Sequence, residues 1–174
     1  MMQHETNNKC IILTQRPLVW SMEFDYEQIY NRVSVDTDYS AHKNADPSGE
    51  TNIMLDDDKP LFRYYLALAI SDLTSLLARR IDPSIVIKDE DGNIIENNGM
   101  VESTTSIKYY LVMDENLEKH LLSSLYRYCF EYLSVRVLEM WHKQPQGSDG
   151  FKSDIIRVLD FRRKPVRRPI RNLL

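Results

Sequence analysis

The stretch from Asp114 to Lys143 reads DENLEKHLLSSLYRYCFEYLSVRVLEMWHK, and its periodicity decides the fold. Leu117, Leu121, Leu125, Tyr128, Tyr132 and Val135 form one apolar stripe, and Leu122, Cys129, Leu133, Val137 and Met140 form a second beside it. Spacings of three and four bring both stripes to one side only in a helix, so we predict a helix from Glu115 to about Lys143, capped by Asp114. A face this wide must be covered on two sides. We expect a second helix on one side, and a sheet or a neighbouring subunit on the other.

That second helix lies upstream, from Leu61 to Arg80, with apolar residues at Leu61, Tyr65, Leu66, Ala69, Leu73, Leu76 and Leu77. Asp58 offers a cap, Pro60 suits a first helical turn, and Asp82-Pro83 ends the segment. Between the two helices, Ile85-Val86-Ile87 leads through Asp89-Glu90-Asp91-Gly92-Asn93 to Ile94-Ile95. This is a hairpin signal, because Asp-Gly supports the backbone of a tight turn. A further turn at Asn97-Asn98-Gly99 precedes Thr104 to Met113, whose Thr, Ile, Tyr and Val content predicts the longest strand.

Nearer the start, Met22, Tyr26, Ile29, Tyr30 and Val33 predict a first helix from about Ser21 to Val35. Asp36 to Asp58 follows as a long acidic loop, with seven acids against Lys43 and a turn at Asp46-Pro47-Ser48-Gly49. Cys10 to Leu13, before Pro17, suits an extended arm or edge strand. After the long helix, Gln144 to Gly150 is a breaker-rich link, and Phe151 to Phe161 has alternating apolar residues at Phe151, Ile156 and Val158. Pro165 and Pro169 hold the remainder extended. The predicted class is mainly α with a small antiparallel β-hairpin or sheet (α+β): a helical core with an extended N-terminal arm and C-terminal tail. Residues 1–160 form one domain, with the acidic loop at 36–58 and a hairpin insertion at 84–113, and 161–174 form the tail. Leu66, Leu73, Leu77, Leu121, Leu125 and Tyr132 are the expected core.

A chain of 174 residues, 43% of them apolar, can bury one core. No run of eighteen apolar residues occurs and Met1 to Cys10 is polar, so we expect neither a membrane span nor a signal peptide. Cys10 and Cys129 lie far apart with no CxxC, which predicts reduced thiols and a cytosolic origin. The net charge of −4 hides an asymmetry. The last fourteen residues carry six cations and no acid, which leaves 16 basic against 26 acidic residues and a charge of −10 over 1–160.

Catalytic and metal chemistry find no foothold in the sequence. Asp36 with Asp38, and Asp56-Asp57-Asp58, lack the alternating ligands, glycine and terminal glutamate of a calcium loop. His4, His42, His120 and His142 stand without HxH or HExxH spacing. No GxSxG elbow occurs, Cys129 sits inside an apolar stripe, and none of the five glycines builds a phosphate-cradling loop. The expectation is no enzyme, no cofactor and no metal. The tail is different: Arg162, Arg163, Lys164, Arg167, Arg168 and Arg171 share it with the apolar Val166, Ile170, Leu173 and Leu174. Arg forks with apolar anchors suit an acidic groove on a partner protein first, and a phosphate backbone second.

The order of parts resembles a known family. A short helix through Ile29-Tyr30-Asn31-Arg32-Val33-Ser34-Val35, an acidic loop with Asp56-Asp57-Asp58, a long helix through Arg63-Tyr64-Tyr65-Leu66, a hairpin, another long helix and a proline-broken basic tail look like the head-tail connector proteins of tailed bacteriophages. These are the neck, ring or head-completion proteins, especially of phages infecting gut Bacteroides-type bacteria. The resemblance implies a virion protein that forms a homo-oligomeric ring, often of twelve copies, between portal and tail. DNA would pass through its lumen without sequence-specific binding, and an acidic body suits a channel that must not grip what it conducts. The competing class is a bacterial nucleic-acid-binding or regulatory adaptor that uses the basic tail, although the body lacks a basic face or a helix-turn-helix.

Overall fold

The long helix lies at the centre of the molecule because its two apolar stripes can be satisfied only by neighbours on several sides. In the computed structural model, which describes residues 18–43, 53–81, 87–88, 91–95, 99–113, 117, 119–143 and 146–160, the elements run β1 (Leu18–Asp25), α1 (Tyr26–Lys43), a 3-10 turn (Asp56–Asp58), α2 (Lys59–Leu77), β2 (Ile87–Lys88), β3 (Ile94–Ile95), β4 (Met100–Glu102), β5 (Ser106–Met113), α3 (Lys119–His142) and α4 (Ser148–Leu159). The class is mainly helical with a small antiparallel sheet, as the periodicity predicts. Helix α3 packs against α1, α2 and α4. Its Leu125, Cys129, Leu133 and Val137 are fully buried, and each such aliphatic side chain contributes about 1.5–3 kcal/mol.

The three-stranded sheet has the order β1-β5-β4, antiparallel throughout, with Leu18 opposite Met113, Asp25 opposite Ser106 and Met100 opposite Tyr109. Ile107, Tyr109, Leu111 and Met113 alternate inward from β5, and Met22 and Phe24 do so from β1. The Phe24 ring stacks on Tyr126 of α3 with centroids 5.1 Å apart, which ties the sheet to the helix. Strand β5 therefore supplies Ile107, Tyr109, Leu111 and Met113 to the core. Gly92, at φ +80°, makes the turn between β2 and β3, where Ile87 faces Ile95. The turn from β4 to β5 is built by Ser103, whose Oγ accepts the Ser106 amide at 2.9 Å, so the last strand starts at Ser106 and not at Thr104.

Three expectations need correction. Ser21 to Asp25 is strand, because Trp20, Met22 and Phe24 alternate with Ser21, Glu23 and Asp25 and the eight residues of β1 pair along β5. Asp25 then caps α1 by accepting the Gln28 amide at 2.9 Å. The helix also outlasts Val35 and takes in part of the expected acidic loop. Arg32 pairs with Asp36 at 2.6 Å one turn on, and buried Thr37 uses its hydroxyl to accept the Met54 amide at 3.1 Å. Of the loop, residues 44–52 lie outside the described residues. Phe151 to Leu159 is helix and not an alternating strand, since Phe151, Ile155, Val158 and Leu159 share one face against the core.

Smaller differences concern caps and single core residues. Asp58 stands at the N-cap of α2, but its carboxylate makes no cap hydrogen bond to that helix and instead accepts the Leu55 amide at 2.9 Å, which closes the preceding 3-10 turn. Pro60 sits in the first turn of α2 as expected. Leu66, Leu73, Leu77, Leu125 and Tyr132 are buried, whereas Leu121 is half-buried at the edge of the core and Leu61 is exposed. The arm at Cys10–Leu13, the Asp114 cap and Asp82-Pro83 lie outside the described residues.

Candidate subunit interface

The ionisable side chains that approach one another in the folded body act as fastenings between elements. Asp72 of α2 accepts from Arg136 Nε of α3 at 3.0 Å, and Arg136 Nη1 donates to Glu139 at 3.0 Å. Glu139 in turn accepts the Gln146 and Ser148 amides, each at 3.0 Å, and the Ser148 hydroxyl at 2.7 Å. A carboxylate of α3 thus serves as the anion at the start of α4, where the backbone N–H groups lack helical partners. Burial alone would raise its pKa, but the Ser148 and Gln146 hydrogen bonds and Arg136 outweigh it and hold the carboxyl down at about 2. Gly147, at φ +96°, makes the turn that aims those amides at Glu139.

The remaining candidates for chemistry are equally committed. Tyr26 donates to Glu102 at 3.0 Å and its phenol is pushed upward, by burial first and by that hydrogen bond second. Tyr109 lies 2.8 Å from the Thr74 hydroxyl and is raised by burial. Cys129 is fully buried and its thiol is likewise raised by burial, which removes it from the range of a nucleophile at neutral pH. Among the described residues, no group of three or more His, Cys, Asp or Glu side chains converges as a metal ligand set. No helix among them is long and apolar enough to cross a membrane.

What the described surface offers instead is the outer side of α2. Phe62, Leu66, Ala69, Ile70, Leu73 and Leu77 face the core, which turns Tyr64, Ala67, Leu68, Ser71, Ser75 and Ala78 to the opposite side. Tyr64 is 60% exposed, and Leu61 and Leu68 are each 42% exposed. Between Tyr64 and Ala78 the charge that borders this face is Asp72, one turn from Leu68, and it is paired with Arg136 of α3 at 3.0 Å. By contrast, α3 presents Lys119, His120 and Arg127 to solvent, and α4 presents Asp149, Lys152 and Arg157. A helix face that only meets water normally carries Lys and Glu, and this one carries Leu61, Tyr64 and Leu68 instead. Val35 and Tyr39, one turn apart on α1, are also exposed.

The tail residues read as partner-binding, Arg162, Arg163, Lys164, Arg167, Arg168, Ile170, Arg171, Leu173 and Leu174, lie outside the described residues. Their point of departure is described. The Arg80 guanidinium, just past α2, donates to the Leu159 carbonyl at the end of α4. The end of α4 therefore lies beside the C-terminal end of α2. Sequence reasoning did not single out the α2 face, although the run of uncharged residues from Tyr64 to Ser71 was its available signal. Comparison of the chain with protein-family models, curated proteins and solved structures found no match.

Proposed function

We propose that this chain is a structural assembly subunit without catalytic activity, of the kind that forms the head-tail connector of a tailed phage. The observation that carries the reading is the outer face of α2, where Leu61, Tyr64 and Leu68 stand exposed while Asp72 at its border is held by Arg136. The position of the end of α4 beside that helix supports it further, because fourteen residues, if extended at about 3.1 Å each, would reach roughly 43 Å, far enough to lie on a neighbour. In this reading the subunits form a ring, of twelve copies in the usual connector geometry, between portal and tail in the virion. The acidic body faces DNA that passes without being held. Arg162, Arg163, Arg167 and Arg168 pair with carboxylates of an adjacent copy or another virion protein, and Ile170, Leu173 and Leu174 fill apolar grooves there.

The test compares the full-length chain with one ending at Asp160, by native mass spectrometry and electron microscopy of the assemblies. The expected result is closed rings for the full-length chain and their loss on truncation, with the melting temperature unchanged. Full-length protein that forms no assembly larger than a dimer at any concentration would overturn the reading. So would a shift on duplex DNA that disappears both on truncation and at raised salt, since counterion release gives phosphate binding that steep dependence and would assign the tail to nucleic acid.

A further inference from the structure

We propose that the outer face of α2 is the site of a two-fold, antiparallel contact with a second copy of this chain. The proposal does not rest on the connector reading. It stands on two gradients that run along the same helix. The first is size: the exposed large apolar residues Leu61, Tyr64 and Leu68 all stand in the N-terminal half, beside exposed Pro60, Arg63 and Ala67, whereas the exposed residues of the C-terminal half before Arg79 are the small Ser71, Ser75 and Ala78. The second is charge: exposed Asp57 stands just before the helix and exposed Arg79 just after it, neither engaged by another described residue.

The two gradients share a centre. Asp57 and Arg79 lie eleven residues either side of Leu68, and Leu61 and Ser75 lie seven either side. A two-fold axis at Leu68 therefore sets Leu61 on Ser75 of the second copy, brings Tyr64 level with its Asp72 between its Ser71 and Ser75, and places Asp57 against its Arg79, all in one register. Large side chains fill the room left by small ones, as close helix packing requires. The Ser75 hydroxyl already donates to the Ser71 carbonyl at 3.0 Å, so covering it strands no polar group. Opposed helix dipoles favour the same direction. A parallel pair would instead stack Tyr on Tyr, leave a gap at the serines, and oppose Asp57 to Asp57 and Arg79 to Arg79.

A second copy fits better than a different protein because both halves of the complement are on this one helix. Such an isologous contact closes on itself and does not propagate. The helix is about 28 Å long, which puts the contact at the small end of specific interfaces and its dissociation constant in the micromolar range. The head-to-tail contacts of a ring are heterologous and use other surfaces, so the two associations can coexist.

Sedimentation equilibrium of the full-length chain from about 1 to 200 µM, in a Cys10→Ser background, tests the proposal. The chain should show a monomer–dimer equilibrium. Leu68→Glu should weaken it at least 100-fold, by setting two carboxylates against each other on the axis, and leave the melting temperature unchanged because Leu68 faces solvent. Asp57→Lys and Arg79→Glu should each weaken the dimer roughly tenfold, since each change acts at two symmetric places, and together they should restore it to within about threefold. The two residues are roughly 33 Å apart along one helix, so that rescue can only act between chains. On oxidation, Leu68→Cys should cross-link to itself, and Leu61→Cys should cross-link to Ser75→Cys but not to itself. A monomer throughout the range, a dimer that survives Leu68→Glu, or self-linked Leu61→Cys would overturn the proposal. A dimer seen only after removal of residues 161–174 would also overturn it, by assigning the face to the chain's own tail. Ring assembly that persists in Leu68→Glu while the dimer is lost would separate this contact from the connector reading.

Discussion

Replacing Glu139 with Gln removes a charge that two helices share, and the structure sets the size of the effect. The carboxyl is held at about 2 in place of its ordinary 4.5, and its side chain is only 10% exposed, so solvent screens it little. Each tenfold change in proton affinity is worth about 1.4 kcal/mol, which gives the ionised group about 3 kcal/mol of differential stabilisation at neutral pH. Glutamine keeps one acceptor oxygen but brings an amide NH2 toward Ser148 and Arg136, both of which are donors here. We expect Glu139→Gln to cost about 2 kcal/mol and to lower the melting temperature by about 4–8 °C for a chain of this size. The pH dependence gives a second readout. Because the folded pKa lies below the unfolded one, the contribution is complete above about 4.5 and is lost as pH falls through about 2. The gap in melting temperature between wild type and variant, measured by circular dichroism, should be constant from pH 7 to about 5 and close toward pH 2. The other carboxylates titrate in both chains and cancel. A gap under about 1 °C at pH 7, or one unchanged at pH 2, would refute the reasoning.

Leu125→Ala should destabilise by about 3–4 kcal/mol in urea unfolding, because Leu125 is fully buried on the central helix and its removal leaves a cavity in the core; a loss under 1 kcal/mol would contradict that packing. Thr37→Val keeps the shape of the side chain but strands the buried Met54 amide, so it should cost about 1–2 kcal/mol and speed hydrogen exchange at Met54 before it does so in α3. Tyr109→Phe removes the hydroxyl 2.8 Å from Thr74 in the core and should cost about 1 kcal/mol in the same urea assay, with no change in the slope of the transition.

The helices α2 and α3 were legible in the sequence because both follow a period close to 3.6 over many turns, and the Asp91-Gly92-Asn93 turn because it demands a positive φ. The strand β1 was not. Met22 and Tyr26 lie four apart and mimic a helical face, whereas the alternation of Trp20, Met22 and Phe24 becomes decisive only when a partner strand exists. That partner, β5, lies more than eighty residues downstream. The same non-locality hid the true length of α1. Asp36 and Asp38 read as loop residues, but Thr37 between them finds its hydrogen-bond partner at Met54, seventeen residues on. At Phe151–Leu159 the observed helical face runs through Phe151, Ile155, Val158 and Leu159, and exposed Ile156 made the run look alternating.

The face of α2 escaped the sequence for a reason particular to that helix. A stripe is located by the contrast between apolar and polar positions, and α2 has large apolar residues at nearly every angle. Read as a pattern, Leu61, Tyr65, Leu66, Ala69, Leu73, Leu76 and Leu77 make a continuous band, yet the buried set is Phe62, Leu66, Ala69, Ile70, Leu73 and Leu77. The two bands differ by roughly 40° about the axis, less than half the rotation between successive residues. That rotation is fixed by contacts outside the helix: Phe62 meets Tyr30 edge to face at 5.2 Å, Asp72 reaches Arg136, and Thr74 reaches Tyr109. Once those three contacts set the phase, Leu61, Tyr64 and Leu68 can only point away. A helix that keeps two apolar sides while its neighbours α3 and α4 charge their outer surfaces is then to be understood by what packs on its second side. The opposed gradients of size and charge along it argue that the answer is another copy of itself.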